Sequence, residues 1–285
     1  MKAKQFNGKA IYNPSGKAGE YSCWACNFYV GCSNGCAYCY CKKGVLAGAM
    51  GGDVPTLKKC FKDEKHALEV FEKELKANLP ELQKHGLFFS FTSDPMLPET
   101  RVLTMCAIGF CNKYNVPVKI LTKIADWLDW AMNFTYTIDF GVMKYVIYGK
   151  DVFENTAFGF TLTGHDELEP NASTNTERIE AMRKLKEAGF QTWASIEPII
   201  DFESSKDMIF MTAEYCSLYK IGLESGKKYD KKELQKFMVS CLLTTTENGK
   251  QPLFYFKDSL LKAAGLKREN LSFNCVSRDY NMFND

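Results

Sequence analysis

Three cysteines near the amino terminus have the spacing of an iron–sulfur site. Cys32, Cys36 and Cys39 form a C-x3-C-x2-C pattern, with a glycine directly before each of the first two. Three thiolates at this spacing can bind three irons of a four-iron cubane, which leaves the fourth iron without a protein ligand. A small molecule can chelate that open iron. Since three thiols converge on one cluster only if the backbone turns, the pattern predicts a cluster-binding loop over 31–41.

Zinc is the main alternative to iron as the metal bound by these cysteines. Cys23 and Cys26 form one C-x2-C pair, and Cys36 and Cys39 form another, as in four-cysteine zinc sites. A zinc site leaves Cys32 unexplained, so an open-site iron–sulfur cluster is favoured over zinc. A non-enzymatic zinc or iron–sulfur binding module is the alternative to an enzyme. Two alternatives stay open for Cys23 and Cys26, namely a second metal centre or thiols packed beside the loop.

The composition excludes several classes of protein. The chain has 285 residues, of which 46% are hydrophobic and 25% charged, and its formal net charge is +2. This charge gives no strong global field toward nucleic acid or anionic lipid. No apolar run has the length of a membrane helix or of a secretory leader. We therefore expect a cytoplasmic protein without a membrane partner, in which the twelve cysteines are thiols or metal ligands rather than disulfides.

Helical and strand patterns alternate along the chain. Helical periodicity occurs at 64–78, 100–113, 173–189, 203–214, 230–244 and 257–264, and short apolar runs predict strands at 87–91, 116–121, 145–148, 157–163, 192–196, 218–221 and 253–256. Such alternation is typical of an α/β fold with mostly parallel strands. The stretch of about 131–156 has a weak pattern and is interpreted as an irregular insertion.

Polar residues follow several of the predicted strands. In parallel α/β folds, ligands bind at the carboxyl ends of strands. The candidates at these ends are Thr92-Ser93-Asp94, Thr122-Lys123, Thr161, Thr163 and Glu197. Glu197 precedes a proline at its strand end, where it either binds a ribose or an amine or caps a neighbouring helix.

The segment around the cysteines resembles a known enzyme family. Residues 27–40 read N-F-Y-V-G-C-S-N-G-C-A-Y-C-Y, which is similar to the N-x-Y-x-G-C-x-x-x-C-x-Y-C-Y pattern of the spore photoproduct lyase-like (DNA repair photolyase-like) branch of the radical S-adenosylmethionine (SAM) enzymes. Weaker matches, from Thr92-Ser93-Asp94-Pro95 to Leu185–Gly189, follow in the same order. Residues 254–258 resemble the closing strand of phage-borne relatives.

The resemblance implies a fold and two cofactors. The fold is a partial (β/α)6 TIM-like barrel made of one domain over 1–285, with a strand and helix in 252–285 that close the barrel. The cofactors are a [4Fe-4S] cluster on the three cysteines of the motif and SAM. The resemblance also implies the residues that contact SAM. Tyr38 would lie at the adenine, and Thr161 or Thr163 would assist. The methionine end would be contacted by Ser93, Asp94 and Lys123. A flavodoxin or ferredoxin is the expected reductant.

One departure from the family bears on the reaction. Spore photoproduct lyases have a hydrogen-donating cysteine directly before T-S-D, where this chain has Phe91. Tyr40 and Cys41 are therefore the candidates for a radical relay or hydrogen donor. The expected activity is reductive cleavage of SAM to a 5′-deoxyadenosyl radical, followed by hydrogen abstraction from a substrate other than spore photoproduct. A nucleic acid or nucleotide is the first candidate substrate, and a peptide or small molecule is the second.

Overall fold

A computed structural model describes residues 5–44, 47–133, 135–139, 144–148 and 150–284. The chain divides into two compact units. The first contains residues 1–35 and 39–157, and the second contains 36–38 and 158–285. The boundary therefore falls twice inside the cysteine motif.

The first unit has a mostly parallel set of strands with helices between them. Its strands are β1 (Ile11–Tyr12), β2 (Ala25–Cys26), β3 (Tyr29–Val30), β4 (Thr56–Leu57), β5 (Leu87–Phe89), β6 (Val118–Thr122), β7 (Thr135–Asp139) and β8 (Lys144–Tyr148). Its helices are α1 (Ala47–Met50), α2 (Glu64–Ala77), α3 (Leu79–His85), α4 (Arg101–Lys113) and α5 (Trp127–Asn133).

Strand pairing in this unit sets the position of the site. β2 runs parallel to β5, which runs parallel to β6, while β1 is antiparallel to β2. Every side chain of β5 is buried. Continuous apolar runs of this kind are typical of parallel strands that are covered on both faces. The carboxyl ends of β5 and β6 therefore lie at one edge, as the sequence predicts.

The second unit continues the same alternation. β9 (Thr156–Thr161) begins in the first unit and ends in the second, and it is followed by β10 (Gln191–Ile199), β11 (Leu218–Leu223) and β12 (Leu253–Phe256). β10, β11 and β12 are parallel neighbours in that order. The helices are α6 (Asn175–Glu187), α7 (Phe202–Thr212), α8 (Lys231–Leu242) and α9 (Asp258–Ala264).

Local sequence explains where these helices begin. Thr174 and Glu177 form a reciprocal capping box at the start of α6, which satisfies two backbone N–H groups that lack helical partners. Asp201 caps α7 and Asp230 caps α8 through side-chain oxygens. Three of the predicted helices therefore start at polar caps, where the sequence provides them.

The α/β class with mostly parallel strands is confirmed. The six predicted helices are present within about two residues at each end, and the predicted strands are also present. The stretch of 131–156 is more regular than expected, because β7 and β8 form an antiparallel pair; residues 134, 140–143 and 149 of this stretch lie outside the described residues. The single domain over 1–285 and the closing role of 252–285 stay predictions.

Candidate functional site

The cysteine motif forms a loop, as its spacing predicts. Gly31 has a φ of +82°, and a Cβ on it would lie 2.5 Å from the Val54 carbonyl oxygen. Only glycine therefore fits where the loop leaves β3. The Cys32 N–H donates to the Gly52 carbonyl at 2.9 Å, and Cys39 precedes a short 3-10 turn over Tyr40–Lys42.

In the first unit, one buried carboxylate joins the loop to two strand ends. Asp94 Oδ2 accepts from Asn34 Nδ2 at 3.0 Å and from the Lys123 backbone N–H at 2.8 Å. Its Oδ1 accepts from the Thr122 hydroxyl at 2.6 Å and from the Met96 N–H at 3.0 Å. Asp94 is 8% exposed. The predicted residues Asp94 and Lys123 are thus brought together with the cluster loop.

Two buried polar oxygens beside this carboxylate have no hydrogen-bond partner among the described residues. They are Ser93 Oγ and Asn34 Oδ1. Buried polar atoms in native proteins are nearly always paired, so two unpaired atoms on residues that adjoin one carboxylate are typical of a site that binds a ligand or a water. Asn34 was not a candidate from the sequence, although its position between two motif cysteines is a usable signal.

The thiols of the first unit differ in pKa. Burial, and then the nearby Asp94 carboxylate, raise the pKa of Cys32 to about 11. A hydrogen bond from the Cys41 thiol lowers the pKa of Cys39 to about 6. The same hydrogen bond, together with burial, raises the pKa of Cys41. Cys39 is therefore the most readily ionised of these three thiols. The ionised form, the thiolate, is the one that binds metal.

The two radical-relay candidates lie against the residue that replaces the family's cysteine. The Tyr40 hydroxyl donates to the Phe91 carbonyl oxygen, and Cys41 Sγ lies 3.7 Å from the same oxygen. Tyr40 is 49% exposed, whereas Cys41 is 5% exposed. Although about half of Tyr40 is exposed, desolvation, the main cause, raises the pKa of its hydroxyl. Both side chains therefore stay protonated at neutral pH in this arrangement.

The second unit holds the middle of the motif. The Ala37 N–H donates to the Leu168 carbonyl at 2.9 Å, and the Tyr38 hydroxyl donates to Glu169. Burial, and then the Glu169 charge, raise the pKa of Tyr38. Tyr38 is thus oriented by a buried carboxylate, a partner that the sequence did not indicate.

Arg178 anchors that carboxylate. Glu177 and Arg178 belong to the helix predicted at 173–189, where charged side chains are expected at the surface, and for Arg178 this expectation is wrong because its exposure is 0%. Its guanidinium donates to Glu169, to the Thr161 carbonyl at 2.6 Å and to the Ser173 carbonyl at 2.7 Å. A buried charge needs such complete pairing, which explains why an arginine faces inward here.

The two predicted threonines are buried near this ion pair. Thr161 is 3% exposed and Thr163 is 0% exposed. The Thr163 hydroxyl donates to Glu169 Oε2 at 3.4 Å and accepts from the His165 N–H at 3.3 Å. Thr161 contributes its backbone carbonyl to Arg178. Their direct contact with SAM stays a prediction.

Glu197, near the carboxyl end of β10, forms an ion pair with Lys257, which directly follows β12. A Cβ on Gly222 of the intervening strand would lie 2.5 Å from Glu197 Oε1 and 2.9 Å from Lys257 Cδ. The missing side chain therefore provides the space in which the two charged groups meet. The exposure of the Lys257 side chain is 1%, and buried charges at this edge are the kind of group that binding sites use.

The cysteines fit a cluster by their chemistry. Cys32, Cys36 and Cys39 are partly exposed thiols on a loop, and unpaired buried oxygens lie beside it, as a ligand site requires. In the part of the chain that the structure describes, no group of three or more His, Cys, Asp or Glu side chains is gathered as in a metal site. Cys26 is fully buried in β2, which favours the packed-thiol alternative for that residue.

Comparison with known proteins identifies the fold. No protein-family model and no curated protein matches the sequence. A spore photoproduct lyase complexed with a dinucleoside spore photoproduct is similar, with a TM-score of 0.51 and 18% identity over 73% of this chain and 57% of that chain. SuiB of Streptococcus suis bound to S-adenosylmethionine has a TM-score of 0.51 and 12% identity, over 86% of this chain and 49% of that chain.

SuiB bound to the precursor peptide SuiA has a TM-score of 0.55 and 12% identity, over 88% of this chain and 52% of that chain. The chain thus spans about half the length of these similar structures, from 49% to 57%. At such identities the likeness establishes the fold alone, which is similar to that of spore photoproduct lyase and SuiB. The resemblance to spore photoproduct lyase that the cysteine motif indicates is confirmed at that level. Within the described residues, no helix is both long and apolar enough to cross a bilayer.

Proposed function

We propose that the protein is a radical SAM enzyme. The observation that carries this proposal is the C-x3-C-x2-C motif, found on a loop in a chain whose fold is similar to that of SuiB bound to S-adenosylmethionine. The cytoplasm is the expected compartment.

The three motif cysteines would hold the [4Fe-4S] cluster, and SAM would bind beside it. When bound, the cluster supplies one electron that cleaves the SAM sulfonium reductively to a 5′-deoxyadenosyl radical. The chain's own residues would bind and orient SAM. Lys123 is a cation suited to a carboxylate, and Ser93 offers a hydroxyl. Glu197 is a carboxylate suited to ribose hydroxyls. Tyr38 is fixed by Glu169.

A hydrogen donor is needed once the substrate radical has formed. Cys41 is the candidate, because its thiol lies 3.7 Å from the carbonyl oxygen of Phe91. Tyr40 hydrogen-bonds to the same oxygen and is the candidate relay. A flavodoxin or ferredoxin would provide the electron for SAM cleavage.

Two substrate classes follow from the similar structures. A nucleic acid or nucleotide is favoured by the lyase that carries a dinucleoside. A peptide is favoured by the SuiB structure that carries a precursor peptide.

Anaerobic reduction of the reconstituted protein with SAM tests the proposal. We expect about four irons per chain and the formation of 5′-deoxyadenosine. Cys36→Ala should abolish both, whereas Cys60→Ala, a cysteine outside the motif, should abolish neither. Wild-type protein that binds one zinc and no iron, or that has a complete cluster and yields no 5′-deoxyadenosine, would refute the proposal.

A further inference from the structure

The carboxylate of Asp94 is already saturated by protein donors. Two donors reach each of its oxygens, and they come from Asn34, Lys123, Thr122 and Met96 at 2.6–3.0 Å. A carboxylate has about four lone-pair sites. Asp94 therefore has little capacity left to bind a cofactor directly, which argues against the direct contact that the family resemblance implies.

The amide of Asn34 has a fixed orientation as a result. A carboxylate only accepts hydrogen bonds, so the Asn34 atom at 3.0 Å from Asp94 Oδ2 is the NH2 group. The amide oxygen then points to the other side. That oxygen is buried and has no partner among the described residues, and Asn34 itself is 2% exposed.

We infer that Asn34 Oδ1 accepts a hydrogen bond from the amino group of the bound ligand, and that Asp94 is the positioning residue that aims it. This inference rests on the proposed function, because it assigns the ligand as the amino-acid end of SAM. An amide oxygen accepts only, so its partner must be a donor. The Asp94 negative charge directly behind the Asn34 amide makes the amide oxygen a stronger acceptor, which favours a polarised N–H donor such as an amino group.

The neighbouring Ser93 completes the arrangement. Its hydroxyl is also buried without a partner in the described part of the chain, and a hydroxyl can donate to the carboxylate at the same end of the ligand. Asn34 and Ser93 together would thus recognise both groups of an α-amino acid. The nucleoside part of the ligand lacks this end, so its binding affinity should not depend on Asn34.

Calorimetric titration of the anaerobic, cluster-loaded protein tests this assignment with two probes. S-adenosylhomocysteine carries the amino-acid end, and 5′-methylthioadenosine lacks it. We expect Asn34→Ala to weaken binding of the first by about tenfold, as for a lost buried hydrogen bond, and to leave binding of the second within about twofold. Asn112→Ala is the matched control and should change neither.

Variants of Asp94 separate a positioning role from direct charge recognition. Asp94→Ala should reproduce the selective loss of Asn34→Ala. The double variant Asn34→Ala/Asp94→Ala should bind S-adenosylhomocysteine as weakly as Asn34→Ala alone, because Asp94 acts through Asn34. Losses that add in the double variant would show that the Asp94 charge itself binds the ligand and would overturn the positioning role.

The remaining outcomes are also decisive. If Asn34→Ala weakens both probes equally or loses the cluster, Asn34 only maintains the loop, and the inference is wrong. If it weakens neither probe, the partner of Asn34 is a water, and the inference is again wrong. Wild-type protein that loads no iron would instead refute the proposed function itself, and iron analysis before titration separates this case.

Discussion

Arg178 is the residue whose surroundings differ most from a surface helix position. Its guanidinium is fully buried and pairs with Glu169, which is 2% exposed. Taking two charges out of water is costly unless every donor is satisfied. Here the remaining donors reach the carbonyls of Thr161 and Ser173. The ion pair therefore orders the end of β9 and the carboxylate that holds Tyr38, rather than adding much stability over an apolar pair.

Removal of one partner of this ion pair should be strongly destabilising. We predict that Arg178→Met lowers the free energy of unfolding by about 3–5 kcal/mol, because Glu169 is left as an unpaired buried charge. Urea unfolding under anaerobic conditions measures the change. The matched control is Arg183→Met on the same helix, where the arginine pairs with Glu180 and Glu187 at the surface.

The control should cost no more than about 1 kcal/mol, since exposed ion pairs contribute little. A double variant, Arg178→Met with Glu169→Gln, should recover part of the loss because it removes the unpaired charge. Equal effects of Arg178→Met and Arg183→Met would contradict the burial of Arg178.

At the scale of the elements, a missing side chain lets β9 and β10 pack closely. Gly159 lies within β9, and a Cβ on it would lie 2.2 Å from Trp193 Cε2. Trp193, on β10, is 2% exposed. The indole therefore covers the backbone of the adjacent strand. Glycine allows this contact, although it weakens a strand because of its low β-propensity.

We predict opposite effects of alanine at two glycines. Gly159→Ala should destabilise the protein by about 1–3 kcal/mol, since the buried Trp193 must move to make room. Gly109→Ala, within α4, should stabilise it by about 0.5–1 kcal/mol, because a Cβ there meets nothing within 4 Å and alanine is the better helix former. Thermal unfolding of both variants tests the pair, and a stable Gly159→Ala protein would show that Trp193 has another rotamer available.

Sequence periodicity predicts the positions of the long helices and strands, but it does not predict the short ones. α6 has apolar residues at helical spacing and a capping box, so its position could be predicted. β1 to β4 have two residues each, which is below the length at which any period is measurable. α3 follows α2 after the single residue Asn78 and has Pro80 in its first turn. Because the break between the two helices is so short, the sequence pattern does not reveal α3 as a separate helix.

The site was predicted only as far as local motifs reach. Cys32, Ser93 and Lys123 lie within short recognisable segments, so they could be proposed from sequence. The Asn34–Asp94 hydrogen bond joins residues 60 positions apart, and Tyr38–Glu169 joins residues 131 positions apart. Such pairings depend on which strand ends share an edge, which a single sequence does not specify. The burial of Arg178 escaped prediction for the same reason.

At the scale of the whole molecule, charge bears on the choice between the two substrate classes. The chain has 36 lysines and arginines against 34 aspartates and glutamates, which gives a net charge of +2. So small an excess provides little long-range attraction to a polyanion. Four exposed lysines near the start of α8 are nevertheless close in sequence, namely Lys227, Lys228, Lys231 and Lys232. If the substrate is a nucleic acid, a local cluster of this kind must supply the phosphate contacts.

We predict that the local cluster, and not the net charge, determines any binding to nucleic acid. Changing the four clustered lysines to glutamine takes the formal net charge from +2 to −2 by removing four positive charges. The same change at Lys62, Lys65, Lys73 and Lys84, which are exposed and dispersed on the first unit, is the matched control. Fluorescence anisotropy of a labelled 20-nucleotide single strand, titrated at several salt concentrations, measures both affinity and salt slope.

The clustered variant should lose about one unit of salt slope for each lysine that contacts a phosphate, while the dispersed variant keeps the wild-type slope. Equal losses in the two variants would mean that binding is a nonspecific response to net charge. A wild-type protein that shows no binding even at low salt would remove nucleic acid from the candidates, because every bound phosphate must release counterions and so strengthen binding as salt falls. The peptide class, for which SuiB provides the structural precedent, would then be the one to test.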